Sequence, residues 1–138
     1  MAVKWVLNEE RSDQARALYE AALRAGEPIV APTLLRLKVT NILSAHAGQR
    51  WALAYGSCAT IGRLPRFRIE LHNPVGSHFQ ALALADALDL AATYDAHYWA
   101  LAEHLGCELW TDDQRLMRRV ASSLPFVRWI GDHPPLPA

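Results

Sequence analysis

Apolar and polar positions alternate along the chain in two periods, and these outline its elements. Ala15, Leu18, Ala22 and Leu23 recur at helical spacing, so residues 12–25 predict an amphipathic helix with Ser12 as its N-cap. Gly26 stands just past the last turn, where glycine ends helices. The apolar run Ile29-Val30-Ala31 predicts a buried strand. Pro32 suits the opening of a helix over 33–47 that stops near Gly48. Residues 50–61 read as a further helix, ending near Gly62. Phe67-Arg68-Ile69-Glu70-Leu71 has the period of two that marks a strand with one buried face. After the break at Asn73-Pro74 and Gly76, an alanine- and leucine-rich helix spans 77–90. Thr93 is the N-cap expected for a helix over 94–105, closed by Gly106. A strand over 107–110, a helix over 113–122 and a strand over 126–130 follow, and the proline-containing tail from Asp132 reads as irregular.

Strands alternating with helices predict an α/β fold with a mostly parallel sheet covered on both faces. A length of 138 residues fits one domain, 1–138, and no internal repeat stands out. Hydrophobic residues make up 51 %, enough for a core. No apolar run reaches the roughly 18 residues that a membrane span needs. Met1–Leu7 leads at once into Asn8-Glu9-Glu10, unlike a secretory signal, so a cytoplasmic location is expected. Formal charge is zero, which removes the argument for non-specific nucleic-acid binding by a basic surface. Local clusters at Arg63/Arg66/Arg68 and Arg115/Arg118/Arg119 leave RNA contact open, and a solvated helix face explains the second cluster equally well. Cys58 and Cys107 lack metal-type spacing and read as ordinary thiols.

Two carboxylate positions carry the candidate chemistry. Asp95 opens the helix 94–105. Asp113, with Asp112 beside it, follows the strand 107–110. The carboxyl end of such a sheet is where α/β proteins gather ligands. Paired carboxylates there suit a hard cation such as Mg²⁺ or Mn²⁺. Thr111 either positions Asp113 or caps the next helix. Asp86 and Asp89 read as a solvated helix end. His97 and His104 share a helix face without a third zinc ligand, so packing or surface roles are favoured. His72 and His78 flank a loop. Ser57-Cys58 is not in a nucleophile elbow, and no glycine-rich phosphate loop is present. Tyr94, Tyr98 and Trp99 offer stacking on single-stranded RNA, against the commoner role of packing.

The segment Tyr94-Asp95-Ala96-His97-Tyr98-Trp99-Ala100-Leu101-Ala102-Glu103, followed by Thr111-Asp112-Asp113-Gln114-Arg115-Leu116, resembles the second half of PIN domains, especially the VapC toxins of toxin–antitoxin pairs. Ala2–Glu10 is similar to their first short helix. Pro32–Leu43 is similar to their P-x-L-x-x-E-V-x-N-x-L helix, with Asn41 on the asparagine. The likeness runs from Val3 to Ile130. It implies a PIN-like α/β/α three-layer sandwich and a Mg²⁺- (or Mn²⁺-) dependent endoribonuclease that hydrolyses RNA phosphodiesters. It further implies a VapB-like antitoxin as partner and a homodimer, for which the apolar faces of helices 33–47 and 50–61 are the candidates. Asp95 and Asp113 would be the catalytic metal ligands, placed within ~8 Å of each other, and Asp112 a supporting or substitute carboxylate. Lys38, Asn41 and Thr111 would line the site.

Two of the family's acidic positions differ. Lys38 stands where the family has a glutamate, and the aspartate ending the family's first, central strand has no counterpart. A Lys ammonium cannot ligate a metal. Turned inward, it would pair with Asp95 or Asp113 and take the cation's place, which is the favoured orientation; the alternative is a lysine that snorkels to solvent. The match begins within a motif, so a start upstream of Met1 is the expected explanation of the missing strand. Closure of the neighbouring strands and a segment from another copy are the others. The alternative function is a catalytically inactive PIN-like module that binds an antitoxin, RNA or another PIN subunit.

Overall fold

A computed structural model describes residues 1–6, 9–47 and 67–136. The elements in order are α1 (Ala2–Val6), α2 (Ser12–Ala25), β1 (Ile29–Pro32), α3 (Leu35–Ala47), β2 (Ile69–His72), α4 (Ser77–Ala87), α5 (Tyr94–Leu105), β3 (Leu109–Thr111), α6 (Gln114–Val120) and β4 (Val127–Trp129), with a closing 3-10 turn at Ile130–Asp132. The helix expected over 50–61, together with Cys58, Arg63 and Arg66, lies outside the described residues.

Local chemistry explains most boundaries. Gly26 and Gly106 adopt φ of 71° and 64°, and their N–H groups close the last turns of α2 and α5. A Cβ at those positions would oppose the left-handed conformation, so the helices stop there. The expectation that Ser12 caps α2 is corrected. Ser12 is the first helical residue, Arg11 precedes it at φ 61°, and the Ser12 hydroxyl accepts the Glu9 N–H at 2.9 Å. It fastens the loop before the helix instead of the helix itself. Thr93 holds the N-cap position of α5, but its side chain makes no capping bond. Its carbonyl accepts the ring Nδ1–H of His97 at 2.7 Å, and the other nitrogen of that ring meets His78 at 3.0 Å. At the end of α4, Arg119 donates to the carbonyls of Leu88 and Asp89 at 2.7 and 2.6 Å.

The strands are parallel, as the alternation of elements predicts, and the chain is of the mixed α/β class. Among the described residues they form two sheets of two strands in place of one continuous sheet. β1 pairs with β2 in the register Ile29↔Ile69 to Pro32↔His72, and β3 pairs with β4 from Leu109↔Val127 to Thr111↔Trp129. Among the described residues β1 and β3 each pair on one edge, and a cavity lies between them.

The principal core is on the β3–β4 side. Ala81 and Ala85 of α4 meet Ala96, Trp99 and Ala100 of α5, with Val120, Leu124 and Val127 closing the cluster. Small residues let α4 and α5 approach, and the Trp99 ring fills the space beneath them; it is 1 % exposed. On the β1–β2 side Ala2 and Val39 form a small cluster with Trp5 and Leu35 against them, and Ala15, Ala17 and Ala31 are buried as well. An aromatic trio supports it: Trp5, Tyr19 and Phe67 hold ring centroids 5.0–5.3 Å apart. The Trp5 indole N–H also donates to the Ala15 carbonyl at 3.0 Å, fixing α1 on α2.

Candidate acidic site

β3 ends at Thr111, and the next two residues, both aspartates, point to different tasks. Asp113 is the N-cap of α6: its Oδ1 accepts the Leu116 N–H at 2.9 Å, and its own N–H donates to the Thr111 hydroxyl at 3.1 Å. Asp113 is exposed. Thr111 positions the cap, one of the two roles expected of it.

Asp112 faces the interior. It accepts Arg11 Nε at 2.7 Å and lies 2.9 Å from Lys4 Nζ. Burial alone would raise the Asp112 carboxyl, but the hydrogen bonds and charges of Arg11 and Lys4 outweigh it and hold the group below the usual carboxylate range. The Lys4 side chain is only 8 % exposed. Its remaining donors reach the Glu10 carbonyl at 2.7 Å and Glu9 at 3.4 Å, so its charge is buried with partners. Arg11 also pairs with Glu10, and its guanidinium sits 5.5 Å over the Trp129 ring.

Asp95 lies in the first turn of α5, where the helix dipole favours a negative charge. Lys38 Nζ donates to it at 2.6 Å and sits 5.1 Å over the ring of Tyr98, one turn further along. Burial, then the charge of Asp95, pushes the Tyr98 phenol well above its ordinary value, so it stays protonated. Lys38 thus adopts the inward orientation and pairs with Asp95 rather than Asp113.

Asp95, Lys38, Tyr98 and Asp112 line one cleft of about 170 Å³ between α3, α5 and the end of β3. Asp112 also lines a wider depression with Arg11, Thr111 and Asp113, of about 540 Å³. Asp95 therefore shares its cleft with Asp112, while Asp113 faces the outer depression. Asn41 is exposed on α3 and lines neither. Sequence reasoning missed Lys4, Arg11, Glu9 and Glu10. The signal for Lys4 was present: a lone lysine in the apolar stretch Ala2–Val6, which a buried helix must provide with a partner.

A divalent cation would have to draw on this donor set. Mg²⁺ needs one or two carboxylates with substrate phosphates and water, and Asp95 and Asp112 supply two carboxylates. Each already meets a fixed ammonium or guanidinium at hydrogen-bond distance, so the site as arranged is neutralised and does not fit the ion. Among the described residues no group of three or more His, Cys, Asp or Glu gathers as for a metal. Comparison with protein-family models and with curated proteins gives no match.

Proposed function

We propose that this chain is a PIN-like domain of the VapC type whose acidic cleft is closed by the protein's own cations, so that residues 1–138 act by binding. The observation that carries this reading is the Lys38–Asp95 pair at 2.6 Å, beside an Asp112 held by Lys4 and Arg11. A metal-dependent nuclease needs carboxylates free to hold a cation that orients water and stabilises charge on the phosphate. Here an ammonium occupies that position. The layered α/β/α arrangement, a cytoplasmic location and partners of the family's kind belong to the same proposal: a VapB-like antitoxin, RNA, or a second PIN subunit in a homodimer. Among the described residues, no helix is long and apolar enough to cross a membrane. Leu37 on α3 is exposed and offers apolar surface for such a partner.

One observation favours the enzymatic alternative, a Mg²⁺- or Mn²⁺-dependent endoribonuclease. Asp95 and Asp112 face one cleft, and removing Lys38 would release the Asp95 carboxylate into it. The test is RNA cleavage with Mg²⁺ or Mn²⁺ alongside a metal titration. The unmodified chain should cleave poorly or not at all. Lys38→Glu should tighten metal binding without restoring full activity. Strong metal-dependent cleavage by the unmodified chain, abolished by Asp95→Asn or Asp112→Asn, would replace the binding reading with the enzymatic one. Loss through Asp113→Asn alone would return the metal role to Asp113.

A further inference from the structure

His78 stands in the first turn of α4 and His97 in the first turn of α5. Ala81, Ala85, Ala96 and Ala100 let these helices close on each other, so both rings project from one rigid pair. Gln80 ties the pair again by donating to Glu103 at 2.5 Å. His78 Nδ1 lies 3.0 Å from His97 Nε2. The ring centroids are 5.2 Å apart and the planes are inclined at 67°, so the rings do not stack. They meet through one nitrogen each.

The Thr93 carbonyl can only accept, so His97 Nδ1 carries the hydrogen of their 2.7 Å bond. In the neutral ring Nε2 then has the lone pair, and Nε2 is the nitrogen that faces His78. Metal-binding histidines share this arrangement: a carbonyl fixes one nitrogen and the other is left to ligate. His78 is exposed, so its ring can exchange with water to the Nε2–H form and turn its Nδ1 lone pair to the same point. A cation there replaces the single hydrogen that the rings share, and that hydrogen moves to His78 Nε2 with no net loss. At about 2.0–2.1 Å per Zn–N bond and a tetrahedral angle, two ligating nitrogens stand ~3.3 Å apart. The observed 3.0 Å is close to that, and the exposed His78 ring has room to open the rest.

We propose that His78 and His97 form a two-histidine site for a borderline transition-metal cation of the Zn²⁺ class, which bridges α4 to α5 and completes its coordination with water. Imidazole nitrogens suit Zn²⁺ and Cu²⁺, whereas Mg²⁺ takes oxygen ligands, so this site differs in kind from the acidic cleft. Among the described residues no third His, Cys, Asp or Glu joins the pair, so the remaining positions fall to water. Two protein ligands, in place of the three or four of resident zinc sites, make the ion exchangeable. Bound across two helices, it stabilises the folded chain by mass action. The inference rests on the two rings and the Thr93 carbonyl and stands apart from the reading of the cleft.

Calorimetric titration of the untagged chain with Zn²⁺, read together with nitrogen NMR of the imidazole rings, tests it. One Zn²⁺ per chain is expected, with shifts at His97 Nε2 and His78 Nδ1 and none at the remaining histidines. His78→Gln and His97→Gln should each weaken binding by at least about tenfold, and His104→Gln should leave it unchanged. Cu²⁺ should displace the Zn²⁺, and Mg²⁺ should not. His78 is exposed, so the His78→Gln chain decides the matter even if His97→Gln fails to fold. Absence of binding at sub-millimolar Zn²⁺ overturns the proposal and leaves the pair as a hydrogen bond between helices. Binding that persists unchanged in His78→Gln, or ring shifts confined to other histidines, places the cation elsewhere and overturns it as well. One Zn²⁺ shared between two chains would reject the water-completed site.

Discussion

The segment from Ser77 to Trp129 and the segment from Ala2 to His72 contain similar elements, yet different interactions hold them. In the first, helices α4 and α5 close on each other through alanines, and Trp99 seals the space against β4. In the second, the buried residues among those described are small or scattered along the chain, such as Ala2, Ala15, Ala17, Ala31 and Val39. Its cohesion comes from the Trp5–Tyr19–Phe67 rings and from polar ties at Lys4, Arg11 and Trp5. The difference teaches where the molecule is self-sufficient. A dry apolar cluster stabilises by removing surface from water and needs no partner. A polar network at the rim of a cavity specifies position through directional bonds instead.

The largest expected effect tests the well-packed region. Trp99→Ala should destabilise the chain by ~3–5 kcal/mol, because it opens a cavity in a core that cannot readily collapse. Trp5→Ala, in the looser region, should cost clearly less, ~1–3 kcal/mol, by losing ring packing and one hydrogen bond. Urea unfolding monitored by circular dichroism measures both. Equal losses would remove the contrast between the two regions.

Asp112 tests the polar ties. Its folded pKa lies below the unfolded value of about 3.9, so its contribution is present above that value and is lost as pH falls through the folded pKa. Asp112→Asn should cost ~1–3 kcal/mol at neutral pH, since it leaves Lys4 and Arg11 without their shared carboxylate. It should also flatten the loss of stability below about pH 4. Unfolding curves at several acidic pH values read the slope, and an unchanged slope would show that Asp112 is not tied in this way.

Arg119→Ala should cost ~1 kcal/mol by freeing the carbonyls at the end of α4, visible as faster exchange at the last turn of that helix. Smallest is Phe79→Ser. Phe79 is 82 % exposed on α4, so stability should stay within ~0.5 kcal/mol of the parent. A larger loss in thermal unfolding would reveal a covering contact on that outer face.

Helices and strands were largely legible because their signals are local. Residues 12–25 and 94–105 predict α2 and α5 to the residue, since the helical period and the glycine that stops it lie within one segment. The cap at Ser12 failed because its hydroxyl is taken by the Glu9 N–H, a contact set by the loop before the helix and not by the helical period. The acidic site was half legible. Lys38 was expected to turn inward to Asp95 or Asp113, and it meets Asp95, while the different surroundings of Asp112 and Asp113 were not legible. Two adjacent carboxylates after a strand are indistinguishable until the following helix takes one as its cap.

By itself, then, the sequence determined the alternation of parallel strands and helices, the glycine stops and the presence of carboxylates at a strand end. Each follows from residues within a few positions of one another. Tertiary structure alone decided that Lys4 and Arg11 neutralise Asp112, that Lys38 turns to Asp95, and that β1 and β3 stand apart with a slot between them. Those outcomes join segments far apart in the chain, 101 positions in the Arg11–Asp112 bond. Charge pairing and strand pairing across such distances depend on how whole elements pack, which no local period or spacing encodes.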